Sequence, residues 1–204
     1  MNESLTTMAF GIDINMTVMN FQCNRGLTLI ELIVVLAFVA VIMSMGVSSM
    51  VSVTLNSQAT ETMNDLISSL RTARSEAVTR FQDNVVICGS SDGSSCNSLN
   101  WSNGWLVFVD GDGDGDRDSD ETILRIYDAP AERIGIFTRD LTNDHLVFDS
   151  EGMLVRESAF EVCDDRGPAH ARAVVINASG QTRIAVDEDN DGTVDTHLGK
   201  VKCI

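Results

Sequence analysis

The sequence predicts an α+β fold in which one long N-terminal helix packs on an antiparallel β-sheet domain. Three observations predict it. An apolar run with a single charge opens after Gly26, apolar residues then recur at three- and four-residue steps as far as Arg80, and beyond Arg80 the pattern turns to short β-rich segments.

The apolar run extends from Leu27 to Val47, about 21 residues, which at ~1.5 Å per residue is enough to cross a ~30 Å hydrocarbon core. A membrane-spanning first half of the helix is therefore expected. A secretory signal peptide would instead hold about 7–15 apolar residues with a small-residue cut after them, whereas here the expected cut precedes the run. The one charge is Glu31, and an acid at the bilayer centre costs about 2.5–3.5 kcal/mol, less toward the edge. Glu31 thus needs a partner. A cut between Gly26 and Leu27 would create an α-amino group one turn before it, and a neighbouring subunit's amine could pair with the carboxylate. Gly26 suits a peptidase site because no side chain obstructs its backbone.

After the run, Leu55, Ala59, Met63, Leu66, Leu70, Ala73 and Ala77 keep one helical face apolar, so a single helix is expected from about Thr28 to about Arg80. No proline interrupts it. Gly46 with Ser44, Ser48 and Ser49 is the expected point of local weakness. The segments NVVICG, GWLVFVD, TILRIYD, IGIFT, HLVFD, AFEVC, RAVVIN and TRIAVD read as strands, and Gly, Asp, Asn and Ser clusters separate them as hairpin turns. Trp101, Trp105 and Phe108 are read as core residues.

Arg25-Gly26 followed by Leu27-Thr28-Leu29-Ile30-Glu31-Leu32 and the apolar run resembles the class III leader of type IV pilins and type II secretion pseudopilins, with glutamate fifth after the cut. LRTARSEAVTR at the end of the helix, and the stretch from Trp101 to Asp128, are similar to the GspH/FimT branch of that family. The resemblance covers Arg25 to about Asp128 well and implies a division of the chain. Residues 1–26 would be a prepilin leader, 27–50 a transmembrane segment, 51–80 the periplasmic half of the helix, and 81–204 a β-rich periplasmic domain. It further implies removal of the leader by a prepilin peptidase, N-methylation of Leu27, and pairing of Glu31 with an adjacent subunit's N-terminus. The implied location is the inner membrane, single-pass, in contact with lipid and the assembly platform. The implied partners are other pilins or pseudopilins, in a type IV pilus or a type II secretion pseudopilus. Two features depart from the family pattern. Arg25 is the only positive charge in the leader, with Met19 an alternative start, and the apolar helix lacks the proline many members carry.

Cys23 goes with the leader and leaves Cys88, Cys96, Cys163 and Cys203, an even number with three ways to pair. The periplasmic location implied by the resemblance favours disulfides. The favoured pairing is Cys88–Cys96, closing the GSSDGSS loop, and Cys163–Cys203, tying down the C-terminal tail; one or both pairs staying reduced is the alternative. A cysteine–histidine metal site is disfavoured, because no CxxC occurs and His145, His170 and His197 are scattered.

DGDGDGDRDSDE places Asp110, Asp112, Asp114, Asp116, Asp118 and Glu121 in the ligand order of an EF-hand calcium loop, with Gly115 at the sixth place. A second stretch repeats the opening with Asp187, Asp189, Asp191 and Asp195, but Leu198 stands where the closing glutamate would be. The flanks are β-rich, so the expectation is a structural Ca2+ on a hairpin tip. Plain acidic turns are the alternative, since Asp-Gly repeats form turns without any ion.

The formal charge is −16, of which residues 1–26 account for only −1 through Glu3, Asp13 and Arg25. Such a field repels phosphate backbones and disfavours general nucleic-acid binding. Some FimT-like minor pilins nevertheless bind DNA in natural transformation through a Gly-Arg-x-Arg motif. The corresponding place here is Gly180-Gln181-Thr182-Arg183, which keeps Arg183 and loses the first arginine; Arg172, with Arg166 and His170, would have to complete a basic patch. No nucleophile–base pair or open metal position is legible, so an enzyme is not expected. The reading is a structural minor pilin or pseudopilin subunit, with a DNA-binding minor pilin as the alternative.

Overall fold

The structure, a computed structural model, describes residues 26, 28–139, 141 and 145–204, and of 44–49 the backbone alone. Residues 1–25 and Leu27 lie outside the described residues, and with them the leader, Met19, Cys23 and the expected methylation position. The chain divides into two compact units, Met1–Met45 and Gly46–Ile204.

Helix α1 spans Leu29–Arg80. Thr28 starts it, its hydroxyl oxygen accepting from the Glu31 amide at 3.3 Å and so satisfying one of the donors that a helix start leaves open. The spacing Thr28-x-x-Glu31 is that of a capping box. The helix stops where Phe81 turns into the left-handed region at φ 64°. In the first unit the side chains of 28–43 are all exposed, including Leu29, Ile30, Phe38 and Ile42. Among the described residues no helix is long and apolar enough to cross a membrane; the described side chains of the apolar run end at 43.

In the second unit the stripe Leu55, Ala59, Met63, Leu66, Leu70, Ala73 and Ala77 is buried, no member more than 3% exposed. It packs into one cluster with two antiparallel four-stranded sheets. The first contains β1 (Asn84–Gly89), β2 (Gly104–Asp110), β3 (Ile123–Asp128) and β5 (His145–Phe148) in the order β3-β2-β1-β5. The second contains β4 (Ile134–Arg139), β6 (Ser158–Asp164), β7 (Arg172–Ile176) and β8 (Thr182–Ile184) in the order β4-β6-β7-β8. Val85, Ile87, Trp105, Val107 and Phe148 from the first sheet, with Ile136, Phe160, Val162, Val174 and Ile176 from the second, meet the helix stripe. Trp101 sits edge-on to Phe160 at 4.8 Å and Trp105 stacks on Tyr127 at 5.0 Å, which makes both tryptophans core residues.

The outer faces of the sheets are also covered, which is why β2 and β6 are buried along their whole length. Cys88–Cys96, with S–S 2.06 Å, holds the 90–96 loop against Val86, Leu106 and Phe108. Cys163–Cys203, with S–S 1.98 Å, holds the C-terminal segment, with Val201, against Ala159, Ala173 and Val175. Glu161 reinforces that strap. Its fully buried carboxylate accepts from the Lys202 and Cys203 amides at 3.2 Å each and pairs with Arg139 at 2.7 Å.

Two details depart from expectation. The strand expected to reach Asp187 ends at Ile184, and Val186 makes only an isolated bridge to Asp195, because from Asp187 the side chains bond the loop's own amides. That bridge introduces two short strands, β9 (Asp195–Thr196) and β10 (Gly199–Lys200), which hydropathy alone does not signal.

Candidate functional site

The candidate features fall on separate parts of the chain. At the helix start, Gly26 is exposed and a Cβ there would meet nothing within 4 Å, while Leu27 lies outside the described residues. Glu31 is exposed in the first turn; its backbone is held by Thr28, and among the described residues no cation pairs with its carboxylate.

The first acidic loop joins β2 to β3. Asp110 is 2% exposed and its two oxygens accept from the Gly113 and Gly115 amides at 2.8 and 3.2 Å. Glu121 closes the loop from the other end, accepting from Gly111 and Asp118 amides at 2.9 Å each. Asp110, Asp112 and Glu121 offer oxygens within 4.8 Å of one another, as do Asp112, Asp114 and Asp118, whereas Asp116 joins neither group. Burial, and then the neighbouring Asp114, Asp112, Asp120 and Glu121, push the Asp118 carboxyl above the usual aspartate range. Gly115 has its own reason to be glycine. Its φ is 81° and a Cβ would lie 2.8 Å from His145 Nε2.

The second loop, between β8 and β9, brings Asp187, Asp189 and Asp195 within 4.8 Å. Here the chain supplies its own cation, because Lys200 Nζ donates to Asp189 Oδ2 at 2.7 Å and also to Asp191. The two carboxylates in turn hold the Lys200 ammonium well above the usual lysine range. This answer was hidden in the sequence, because Lys200 lies beyond the loop and reaches it only through the β9–β10 turn.

The structure does not bring Arg172 and Arg183 together. Arg183 pairs in register with Val175, so the two share a face, and Arg172, three residues before Val175, starts on the other. Arg183 is exposed and has Glu188 at 4.0 Å, while Arg172 is half-buried with Nη1 enclosed and lacking a hydrogen-bond partner among the described residues. Arg166 does not join them either, being committed to Asp164 at 2.6 Å and to Asn56 of α1 at 2.8 Å.

A cationic groove was not legible beforehand. Arg71, Arg74, Ser75, Val78 and Thr79 of α1, Gly180 and Gln181 of the β7–β8 turn and Thr182 at the start of β8 line an open groove of about 680 Å³. Arg74 Nε donates to Gly152 O at 3.2 Å. Gly180 allows this close approach: its φ is 72°, and a Cβ would lie 2.2 Å from Gly152 O and 2.8 Å from Arg74 Nε. The LRTARSEAVTR stretch places both arginines on the helix, but their convergence with a turn about a hundred residues later is a property of the fold.

The family model described as Type II transport protein GspH matches residues 62–180. Among solved structures, the type IV minor pilin FimU of Pseudomonas aeruginosa is similar at 21% identity in two crystal forms. One gives a TM-score of 0.51, covering 74% of this chain and 95% of that chain. The other gives 0.48, covering 72% and 98%. The minor pseudopilin EpsH from the Type 2 Secretion System of Vibrio cholerae is similar at 10% identity and a TM-score of 0.43, covering 62% and 95%. No curated protein sequence matches. The likeness at a TM-score of 0.51 concerns the fold alone. The family match takes in the end of the helix stripe, β1 to β7 and the turn that follows, more than half of the chain. The chain therefore belongs to the GspH family of Type II transport proteins.

Proposed function

We propose that this chain is a structural subunit of a type IV pilus or type II secretion pseudopilus, cut before Leu27, N-methylated there, and anchored in the inner membrane by its apolar helix before assembly. The observation that carries the reading is the GspH match over 62–180. Upstream of it lies a helix whose side chains from Leu29 to Met43 are exposed and apolar apart from Glu31. Apolar side chains exposed on every side of a helix need lipid or other helices around them. In this mechanism neighbouring helices pack along that run, and the Glu31 carboxylate sets their register by pairing with an adjacent α-amino group. The role is assembly and not catalysis.

Two variants test it in the native cell. Gly26→Glu should leave the leader on the mature chain. Glu31→Val should be cleaved normally yet be missing from filaments or from cross-linked pseudopilus. Normal incorporation of Glu31→Val would contradict the register role.

For the first acidic loop we propose a structural Ca2+ held by Asp110, Asp112 and Glu121, supported by their mutual approach within 4.8 Å. The second loop is a weaker candidate because Lys200 already offsets Asp189 and Asp191. A DNA-binding role draws nothing from Arg172 and Arg183, which start on opposite faces of their sheet.

A further inference from the structure

Arg71 and Arg74 line one groove of a strongly acidic chain, and neither has a carboxylate within 4.0 Å among the described residues. Arg71 is exposed, and Arg74 keeps only the bond from Nε to Gly152 O. Two guanidiniums facing one groove repel each other, and a planar anion that accepts from both relieves this. Val78, 45% exposed, follows Arg74 by one helical turn and gives the groove an apolar wall.

The same chain carries the complementary group. The loop from Asp110 to Glu121 holds seven acids against one arginine, so it stays net negative even with one Ca2+ bound, and Asp112 and Asp114 are exposed. It sits beside the end of α1, where Arg80 shares a shallow cleft with Asp112, Asp118 and Glu121. Arg80 follows Arg71 by nine residues, which at 3.6 per turn places it on the opposite side of the helix and within about 14 Å along the axis. Cationic groove and acidic loop therefore lie back to back at a similar height. They cannot meet within one molecule, but they can meet between two. Contacts of this head-to-tail kind do not self-close as a two-fold dimer does, and they propagate into rings or filaments.

We propose that the Arg71–Arg74 groove is an inter-subunit docking site whose occupant is the Asp110–Glu121 loop of a second copy of this chain. The proposal rests on the assembly reading above and adds to it a specific contact between outer domains. A short carboxylate loop needs only the two arginines of this groove, whereas a nucleic-acid backbone is held through many phosphate contacts.

The test uses two differently tagged full-length copies co-expressed in the native cell, extracted in mild detergent and recovered through one tag. Wild-type copies should co-purify. Arg71→Glu with Arg74→Glu in both copies should cut recovery at least about tenfold, as should Asp112→Lys with Asp114→Lys in both. Placing the arginine variant on one copy and the aspartate variant on the other should restore recovery, a rescue that misfolded variants would not give. Wild-type recovery by the arginine variant, or no recovery of wild-type copies, would overturn the proposal. So would a gel shift of duplex DNA that is lost in the arginine variant while co-purification is unchanged, since the groove would then be a phosphate site. The mature mass measured in the same extracts separates the two claims. Processed copies that do not pair defeat only the docking contact, whereas unprocessed copies defeat the assembly reading.

Discussion

Asp164 shows how a single residue can tie the helix to the second sheet. Its buried carboxylate takes two bonds from the Arg166 guanidinium, at 2.9 and 2.6 Å, and Arg166 passes the link on to Asn56 of α1 at 2.8 Å. These bonds from Arg166 hold the Asp164 carboxyl below the usual aspartate range. A carboxylate with a depressed folded pKa contributes stability that is complete above about pH 4 and is lost as pH falls through the lowered folded value. Asp164→Asn should therefore cost about 1.5–3 kcal/mol at pH 7, and the gap from wild type should narrow in melts taken below about pH 4. A gap that stays constant down to pH 2 would contradict the pairing. The pairing is not legible in the sequence, where Arg166 counts toward a small basic patch and nothing singles out Asp164 over Asp165 as its partner.

At the scale of elements, the two disulfides lock covers onto the outer faces of the two sheets, and their loops differ in length. Cys88–Cys96 closes a separation of 8 residues and Cys163–Cys203 one of 40. Loop-closure entropy assigns them about 2.5 and about 4 kcal/mol respectively. Cys203→Ala should thus lower the melting temperature more than Cys96→Ala, and it should do so together with exposure of the strap bound by Glu161. For the first acidic loop, Ca2+ at a hundredfold excess over its Kd should raise stability by about 2.7 kcal/mol, and Asp112→Asn should remove most of that gain. Equal melts with Ca2+ and with chelator would leave the loop a plain turn. Much of this level was legible. The steps from Leu55 to Ala77 announced the buried stripe, and Gly, Asp and Asn clusters marked the hairpins. The two-sheet arrangement and the role of Lys200 were not, because strand partners and cross-loop cations depend on which segments the fold brings side by side.

At the scale of the whole molecule, the chain carries an outer domain of the GspH family on the second part of a helix whose first part is apolar all round but for Glu31. The assembly reading joins these facts through one covalent event. A leader ending at Gly26 keeps the helix start blocked, and its removal creates the amine that Glu31 needs. The most direct measurement is the N-terminal sequence and intact mass of the protein extracted from the membranes of its native cell. The account predicts a chain that begins at N-methylated Leu27 and retains both disulfides. A chain that still carries residues before Leu27, or one cut after Val47, would contradict it.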